Sequence, residues 1–210
     1  MTAEIEKYLR NFPKDQDQIS HDELRIILTE FSRTLDEQVV GDVVEFGCYK
    51  GETSEFFAKM LSDYKSKKNL WLYDSFEGLP AKTAEDLSVS GVDFKKGELF
   101  AKKRKVEEKF AKMGFDNVRI VKGFFGEIAD RKVPDPISFA FFDGDFYESI
   151  RDSFTKCEAK FAKNATIIVD DFGNSKLPGA AKAVDDWLDK NRKKVQSFRE
   201  EKSLAIIKLR

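Results

Sequence analysis

The most informative stretch of the sequence reads Val43-Val44-Glu45-Phe46-Gly47-Cys48-Tyr49-Lys50-Gly51. Its β-branched start predicts a strand, its two glycines predict a tight turn, and the apolar spacing that follows predicts a helix. Glycines at such a turn allow positive φ and a close approach of the backbone to a ligand, next to the unpaired first amides of the helix. By itself the stretch fits either a site for a small anionic or nucleotide-like ligand or a purely structural turn.

Further strand patterns follow along the chain. Four apolar runs of strand length occur at residues 69–74, 117–123, 137–142 and 165–169. Two more, at 195–198 and 204–207, are too close together for a crossover helix and therefore predict an antiparallel hairpin. With the helical patterns between them, the sequence predicts an α/β fold. We expect a seven-stranded, mostly parallel sheet with this C-terminal antiparallel hairpin and helices on both faces.

The first 40 residues carry helical signals. Ser20 and Glu23 match a capping box, and apolar residues recur at helical spacing over residues 24–35, which predicts one buried helix face. The sequence therefore predicts an N-terminal helical segment at residues 1–40 that packs on a single globular domain at residues 41–210.

Composition and charge exclude several classes of function. The chain has 210 residues, a net charge of −1 and a pI near 6.0, which gives no general attraction to nucleic acid or anionic membranes. Residues 1–10 lack the apolar core of a signal peptide, and no apolar run approaches the roughly 20 residues of a membrane-spanning helix. We expect a soluble, cytoplasmic protein that binds neither nucleic acid nor membranes. Assembly into a homo-oligomer is left open.

The two cysteines and the single histidine are not expected to take part in catalysis. Cys48 and Cys157 are too few for a disulfide framework or a zinc site, and Cys157 falls at a core position of a predicted helix. His21 lies at the cap of the N-terminal helix, where we expect a surface position.

Two stretches between the second and third strands allow more than one interpretation. Residues 81–97 show no periodicity and predict a mobile loop, a candidate lid for a neighbouring site. Residues 95–112 contain eight Lys and Arg against three Glu. This basic stretch predicts a solvated helix face over Phe100, Val106, Phe110 and Met113. The alternative is that it attracts an anionic substrate.

Polar residues gather where the predicted parallel strands end. They are Glu45 and Gly47 after the first strand, Asp74 after the second, Gly123 after the third, Asp143 and Asp145 after the fourth, and Asp170 and Asp171 after the fifth. Open parallel sheets bind their ligands beyond these carboxyl ends. Since a carboxylate at a buried edge needs a partner, each acid is a candidate contact for a hydroxyl, an amine, a backbone amide or a cation.

Asp74 is suited to bind both hydroxyls of a ribose, because a carboxylate has two acceptor oxygens. The alternative is that Asp74 caps the turn that begins at Ser75.

Asp143, Asp170 and Asp171 predict a metal site. The fourth and fifth strands are expected to be neighbours, and like charges at close range raise one another's pKa unless a cation neutralises them. An all-oxygen set suits Mg²⁺, or else Ca²⁺ or Mn²⁺. The alternative is that these acids cap helices and loops. Asp145 lies just past the strand, within reach of a substrate hydroxyl, and is the candidate general base.

Four motifs together resemble the macrocin O-methyltransferase family. They are the opening stretch, Asp74-Ser75-Phe76-Glu77-Gly78-Leu79-Pro80, Asp143-Gly144-Asp145-Phe146-Tyr147-Glu148-Ser149 and Ile168-Val169-Asp170-Asp171-Phe172. The likeness covers about residues 35–190. Members of this family are Rossmann-like class I methyltransferases that depend on S-adenosylmethionine and Mg²⁺ and act on hydroxyls of sugars or related natural products.

The resemblance implies a role for each of these residues. It implies Mg²⁺ at Asp143, Asp170 and Asp171, and a general base at Asp145. It implies that S-adenosylmethionine binds to Glu45, Gly47, Gly51, Asp74, Ser75, Gly123 and Phe124. The expected reaction is Mg²⁺-dependent O-methyl transfer to a small hydroxylated acceptor.

Two other functions fit parts of the pattern. An NAD-dependent oxidoreductase would use the glycine turn and Asp74, although the turn lacks the full Gly-x-Gly-x-x-Gly pattern. A non-catalytic domain that binds a ligand or a partner protein is the other alternative, and the full set of acids argues against it.

Overall fold

The computed structural model describes residues 2–10, 12, 19–88 and 94–210. The predicted loop at residues 81–97 therefore lies partly outside the described residues. The helices are α1 (Thr2–Leu9), α2 (His21–Asp36), α3 (Glu52–Asp63), α4 (Lys103–Lys112), α5 (Tyr147–Cys157) and α6 (Pro178–Asn191). The strands are β1 (Asp42–Phe46), β2 (Leu70–Asp74), β3 (Val118–Lys122), β4 (Ile137–Phe142), β5 (Phe161–Val169), β6 (Val195–Glu201) and β7 (Leu204–Leu209). Of the helices in these ranges, none combines the length and the apolar character needed to cross a membrane.

The seven strands form one sheet in the order β3-β2-β1-β4-β5-β7-β6. Strands β1 to β5 pair in parallel, and β7 runs antiparallel to both β5 and β6. The predicted sheet, with its reversed strand and terminal hairpin, is confirmed. The strand order changes direction between β1 and β4, so the switch point that binds ligands in such sheets lies at the carboxyl ends of these two strands.

Successive strand residues supply two apolar cores, one on each face of the sheet. In β4, Phe139 and Phe141 belong to one core and Ala140 and Phe142 to the other. Residues of α2 and α3 complete the first core, and residues of α5 and α6 complete the second. Helices therefore cover both faces, as predicted, and Cys157 is a fully buried member of the second core.

The N-terminal helix α2 packs directly on the sheet. Ser20 Oγ accepts from the amide of Glu23 at 3.2 Å, and Glu23 Oε2 accepts from the amide of Ser20 at 2.8 Å, so the predicted capping box is present. Leu24, Ile27 and Phe31 are fully buried in the first core. The boundary at residue 40 stays a prediction, and His21 is exposed, as expected.

Two local predictions were wrong. Strand β5 begins at Phe161 instead of Ala165. Lys163 and Asn164 are exposed at the start of this strand, so their sequence carries no apolar pattern. Phe100 does not join the buried face of α4, because the chain is still extended at Lys102 and the ring is 51% exposed.

Two of the other predicted apolar positions are confirmed, whereas Met113 lies past the end of α4 and is half-buried. Val106 and Phe110 are buried beneath α4. On its outer face, Lys103 pairs with Glu107 at 3.0 Å, and Arg104 pairs with Glu108 at 3.2 Å. These pairs favour the interpretation of α4 as a solvated helix face.

Candidate active site

The turn after β1 brings the ends of three strands together. Gly47 has a φ of +96°, and a Cβ at this position would lie 1.7 Å from the carbonyl oxygen of Asp143. The Gly47 amide donates to the Tyr73 carbonyl at 2.8 Å, and the Asp143 amide donates to the Phe46 carbonyl at 2.8 Å. Only glycine fits this position, and its backbone lines a cavity beyond the sheet.

This first cavity, here called the turn cavity, contains several of the predicted ligand-binding residues. Gly47, Asp74, Ser75 and Phe124 line it together with Asp145. The Ser75 hydroxyl donates to the Gly78 carbonyl at 2.8 Å, so this side chain also shapes the turn after β2. The structure thus brings the ends of β1, β2, β3 and β4 to one cavity, as the sequence predicted.

Asp74 lies in the wall of the turn cavity. Its Oδ2 accepts from the Tyr49 amide at 2.8 Å, and its Oδ1 accepts from the Phe76 amide at 2.7 Å. Burial raises the pKa of Asp74, and these two hydrogen bonds oppose that shift. Asp74 therefore caps the following turn, through Phe76 rather than Ser75. Each carboxylate oxygen still has a second lone pair for a ligand.

Two glycines that the resemblance assigns to the donor lie beside the turn cavity without lining it. Gly51 faces α4, where an added Cβ would lie 3.0 Å from the ring of Phe110. Gly123 donates its amide to the Asp74 carbonyl at 2.9 Å. The structure therefore gives both glycines a packing or backbone role, and contact with a ligand stays a prediction.

Glu45 is buried behind the turn. It lines a separate small cavity with Gly47, Tyr49 and Asp143. Its Oε2 has no hydrogen-bond partner among the described residues. Burial raises the pKa of Glu45 to about 8. An unpaired buried carboxylate oxygen beside the glycine turn is suited to accept from a cationic or hydroxyl group of a ligand.

Asp143, Asp170 and Asp171 converge at the ends of β4 and β5. Each offers a carboxylate oxygen, and these oxygens all lie within 4.8 Å of one another. Asp170 Oδ1 accepts from the Asp171 amide at 2.8 Å, and Asp171 Oδ1 accepts from the Asn174 side chain at 2.7 Å. The arrangement and the all-oxygen donor set fit a divalent cation.

The electrostatics of the acids reflect burial and mutual repulsion. Burial, followed by the charges of Asp170 and Asp145, raises the pKa of Asp143 well above its usual range. Burial, followed by the charge of Asp171, has the same effect on the pKa of Asp170. Protons therefore compete with a cation for these oxygens, because either one relieves the repulsion.

Asp145 lies between the turn cavity and the three acids of the predicted metal site. Its backbone has a φ of +60°, an uncommon conformation for a residue other than glycine. Burial raises its pKa to about 8, with smaller contributions from Asp171 and Asp74. A pKa close to neutral suits a general base.

A second cavity, here called the acid cavity, opens on the far side of Asp145. The four acids Asp143, Asp145, Asp170 and Asp171 line it. Asp143, Asp145 and Leu99 line the turn cavity as well. The two cavities therefore meet where the predicted base and one predicted metal ligand lie.

Several residues of the site were not identified from the sequence. Glu23 of α2 and Ser203 of the β6–β7 turn line the acid cavity, and Leu99 borders both cavities. Glu23 and Ser203 come from elements far from the motifs in the chain. Leu99 lies in the basic stretch but is not one of its predicted buried positions, so no sequence signal marks it.

Comparisons with known proteins agree with the motifs. The family model described as Macrocin-O-methyltransferase (TylF) matches residues 17–201. A tetracenomycin-type enzyme from Streptomyces olivaceus, 8-demethyl-8-(2,3-dimethoxy-alpha-L-rhamnosyl)-tetracenomycin-C 4'-O-methyltransferase, is 28% identical over 144 residues, which cover 66% of this chain and 55% of that protein. Mycinamicin III 3''-O-methyltransferase from Micromonospora griseorubida is 25% identical over 165 residues, which cover 75% of this chain and 64% of that protein. The aligned parts thus span less than two thirds of these two relatives.

Solved structures share the fold. The O-methyltransferase NovP superposes with a TM-score of 0.78 at 21% identity, covering 98% of this chain and 87% of that one. CalS11, a calicheamicin methyltransferase, superposes with a TM-score of 0.76 at 19% identity, covering 99% of this chain and 90% of that one. The predicted Rossmann-like class I methyltransferase fold is therefore confirmed. Because the family model matches most of the sequence, this chain belongs to the macrocin O-methyltransferase family.

Proposed function

We propose that this protein transfers a methyl group from S-adenosylmethionine to a hydroxyl of a sugar or a related polyhydroxylated natural product, with Mg²⁺ as the metal. The family assignment supports methyl transfer to oxygen. Two relatives are named for O-methylation of a rhamnosyl-tetracenomycin and of mycinamicin III, which supports a glycosylated or sugar acceptor. Two structures of the same fold are described as bound to SAH, which supports S-adenosylmethionine as the donor.

One observation carries the proposal: the turn cavity and the acid cavity meet at Asp143 and Asp145. A transfer between two bound molecules needs two adjoining sites with the reacting groups at their junction. The turn cavity has the features of a nucleoside site, and the acid cavity has those of a hydroxyl and cation site.

The donor would bind in the turn cavity. Its contribution to the reaction is an electrophilic methyl group on a sulfonium. The free lone pairs of Asp74 are placed to accept from the ribose hydroxyls, and the Gly47 backbone leaves room for close approach. Phe124 supplies an apolar wall to the same cavity.

The cation would bind to Asp143, Asp170 and Asp171. When bound, a divalent cation lowers the pKa of an acceptor hydroxyl and neutralises the charge of the acids. The three carboxylates are held in position by the strand ends and by hydrogen bonds to the Asp171 amide and the Asn174 side chain.

Asp145 would remove the proton from the acceptor hydroxyl. It borders both cavities, so a hydroxyl in the acid cavity can face the donor and Asp145 at the same time. With S-adenosylmethionine bound, its sulfonium methyl would be the group transferred to this oxygen with S-adenosylhomocysteine as the leaving group, and Asp145 would keep the proton. No covalent intermediate with the protein is required.

We also propose a cellular location for the protein. Both cysteines are free and buried, which suits the reducing cytoplasm that we propose as the location.

The first test is a methyl-transfer assay with S-adenosylmethionine and a panel of nucleotide sugars, glycosides and catechols, run with Mg²⁺ and with a chelator. We expect turnover of a sugar acceptor that the chelator abolishes. Asp145→Asn should lower kcat by about 100-fold to 10,000-fold, the usual contribution of a general base. The matched control is Asp116→Asn, at an exposed acid outside both cavities.

Calorimetric titration separates the rival functions. We expect binding of S-adenosylmethionine and none of NADH. NADH binding would favour the oxidoreductase, and binding of neither donor nor Mg²⁺ would favour a non-catalytic domain. Near-normal turnover of Asp145→Asn would show that another group removes the proton.

A further inference from the structure

The side chain of Ser203 lies between two acids from opposite ends of the chain. Its hydroxyl contacts Glu23 Oε1 at a short distance and Asp170 Oδ1 at 3.4 Å. Glu23 belongs to α2, and Ser203 belongs to the tight turn between β6 and β7. A single O–H thus faces both an acid of the N-terminal helix and an acid of the predicted metal site.

The turn that carries Ser203 is fixed against the loop after β5. The Gly173 amide donates to the Ser203 carbonyl at 3.1 Å. A Cβ on Gly173 would lie 3.1 Å from the Ser203 Cα and 2.9 Å from the Lys202 carbonyl oxygen, so the two segments are in close contact. The Ser203 hydroxyl is therefore held at a defined position relative to Asp170 and Asp171.

Glu23 is itself held in place. Its second oxygen, Oε2, accepts from the Ser20 amide in the capping box. On the other side of the turn, Lys202 pairs with Asp22 at 3.3 Å. The N-terminus of α2 and the hairpin turn thus form one connected unit beside the acid cavity.

We propose that Ser203 and Glu23 are positioning residues that orient Asp170 for cation binding, a role that rests on the cation site of the proposed function. Residues that hydrogen-bond to metal ligands set the orientation of those ligands, and their loss typically lowers metal affinity by about 10-fold to 100-fold. Glu23 holds the Ser203 hydroxyl, and this hydroxyl limits the rotation of the Asp170 carboxylate. The terminal hairpin and the N-terminal helix thereby complete a site whose ligands all come from β4 and β5.

The inference is tested by calorimetric titration of the full chain with Mg²⁺ and with Mn²⁺, in the absence of donor and acceptor. Ser203→Ala should bind each cation about 10-fold more weakly than wild type. Ser203→Thr keeps the hydroxyl and should restore most of the affinity. Ser197→Ala is the matched control: it removes an exposed hydroxyl on β6, outside both cavities, and should leave cation affinity within about twofold.

Thermal unfolding without cations shows whether a change in affinity comes from loss of the fold. We expect Ser203→Ala and Ser197→Ala to unfold at similar temperatures. Equal cation affinity of Ser203→Ala and wild type would overturn the positioning role and leave the proposed function intact. If wild type and Asp170→Asn both bind no cation, the metal dependence fails, and the positioning role fails with it.

Discussion

Gly47 and the carbonyl oxygen of Asp143 are in such close contact that no side chain fits between them: a Cβ on Gly47 would lie 1.7 Å from that oxygen. This contact joins the end of β1, which shapes the turn cavity, to the end of β4, which carries the first acid of the predicted metal site. The spacing between the two halves of the site therefore depends on the absence of a side chain at residue 47.

Replacing Gly47 by alanine should disturb both halves of the site. We expect the free energy of unfolding to fall by about 2 kcal/mol or more, because backbone strain at positive φ is added to a clash with backbone atoms. Binding of S-adenosylmethionine should weaken as well. Urea unfolding and calorimetry measure the two effects.

Gly114→Ala is the matched control for this substitution. Gly114 also has positive φ, at +73°, but nothing lies within 4 Å of an added Cβ. This substitution adds only backbone strain, so it should lower the free energy of unfolding by about 1 kcal/mol. Equal losses for the two variants would show that the contact with Asp143 is unimportant.

Burial of Glu45 should make stability depend on pH. Its pKa in the folded chain is raised to about 8 from 4.5, so between these values the folded state keeps a proton that the unfolded state has lost. The free energy of unfolding should therefore fall as pH rises through this range and level off above pH 8.

Glu45→Gln should lose this part of the pH dependence. Without donor or cation, we expect the variant to exceed wild type in stability at about pH 8 by on the order of a few kcal/mol, and to match it more closely near pH 5. Urea unfolding at the two pH values is the measurement. Glu127→Gln, at an exposed glutamate, is the control, and parallel pH curves for Glu45→Gln and wild type would contradict the prediction.

Divalent cations should stabilise the folded chain, and more so at higher pH. Burial and mutual repulsion raise the pKa values of Asp143 and Asp170, so protons occupy the site as pH falls. At a Mg²⁺ concentration about 100 times its Kd, we expect about 2.7 kcal/mol of stabilisation. Melting curves with Mg²⁺ at pH 6 and pH 8 measure the effect.

Controls for this experiment separate site binding from ionic strength. Potassium chloride at matched ionic strength should not reproduce the shift, and Asp143→Asn should abolish it. A shift of the same size in that variant would place the cation elsewhere.

Asp86 holds the described start of the loop after β2 against α5. Its carboxylate accepts from the Tyr147 amide at 2.7 Å and from the Thr83 amide at 2.8 Å, and it is 2% exposed. Asp86→Ala should lower the free energy of unfolding by about 1–3 kcal/mol, because a buried amide loses its acceptor. Since Tyr147 lies close to Asp145, turnover should also fall.

Asp185→Ala is the control for Asp86, because Asp185 is an exposed acid on α6. Chemical denaturation and steady-state kinetics provide the readouts. If both variants behave like wild type, Asp86 does not anchor the loop.

Much of the fold was predictable from the sequence because its signals are local. The apolar strand runs, the glycine turn and the capping box at Ser20 each depend on neighbouring residues. Parallel strands place their carboxyl ends on one edge of the sheet, so acids that end strands had to come near one another. That reasoning brought Asp143, Asp170 and Asp171 together without coordinates.

The surroundings of several other residues could not be predicted from local sequence signals. Glu45 and Gly51 belong to the opening motif and Gly123 follows the third strand, but only the packed chain shows that Gly51 faces Phe110 and that Glu45 is buried behind the turn. The exposure of Phe100 depends on where α4 begins, and no side-chain cap marks that point.

The sequence by itself determined the mostly parallel sheet of seven strands with its terminal hairpin, and the acids at the sheet edge. Only the tertiary structure decided which distant residues join them. Glu23 and Ser203 are 180 positions apart, and no periodicity or motif links them. They meet beside Asp170 because α2 packs on the sheet and the hairpin adds β7 next to β5, and contacts of this kind arise only when the whole chain is folded.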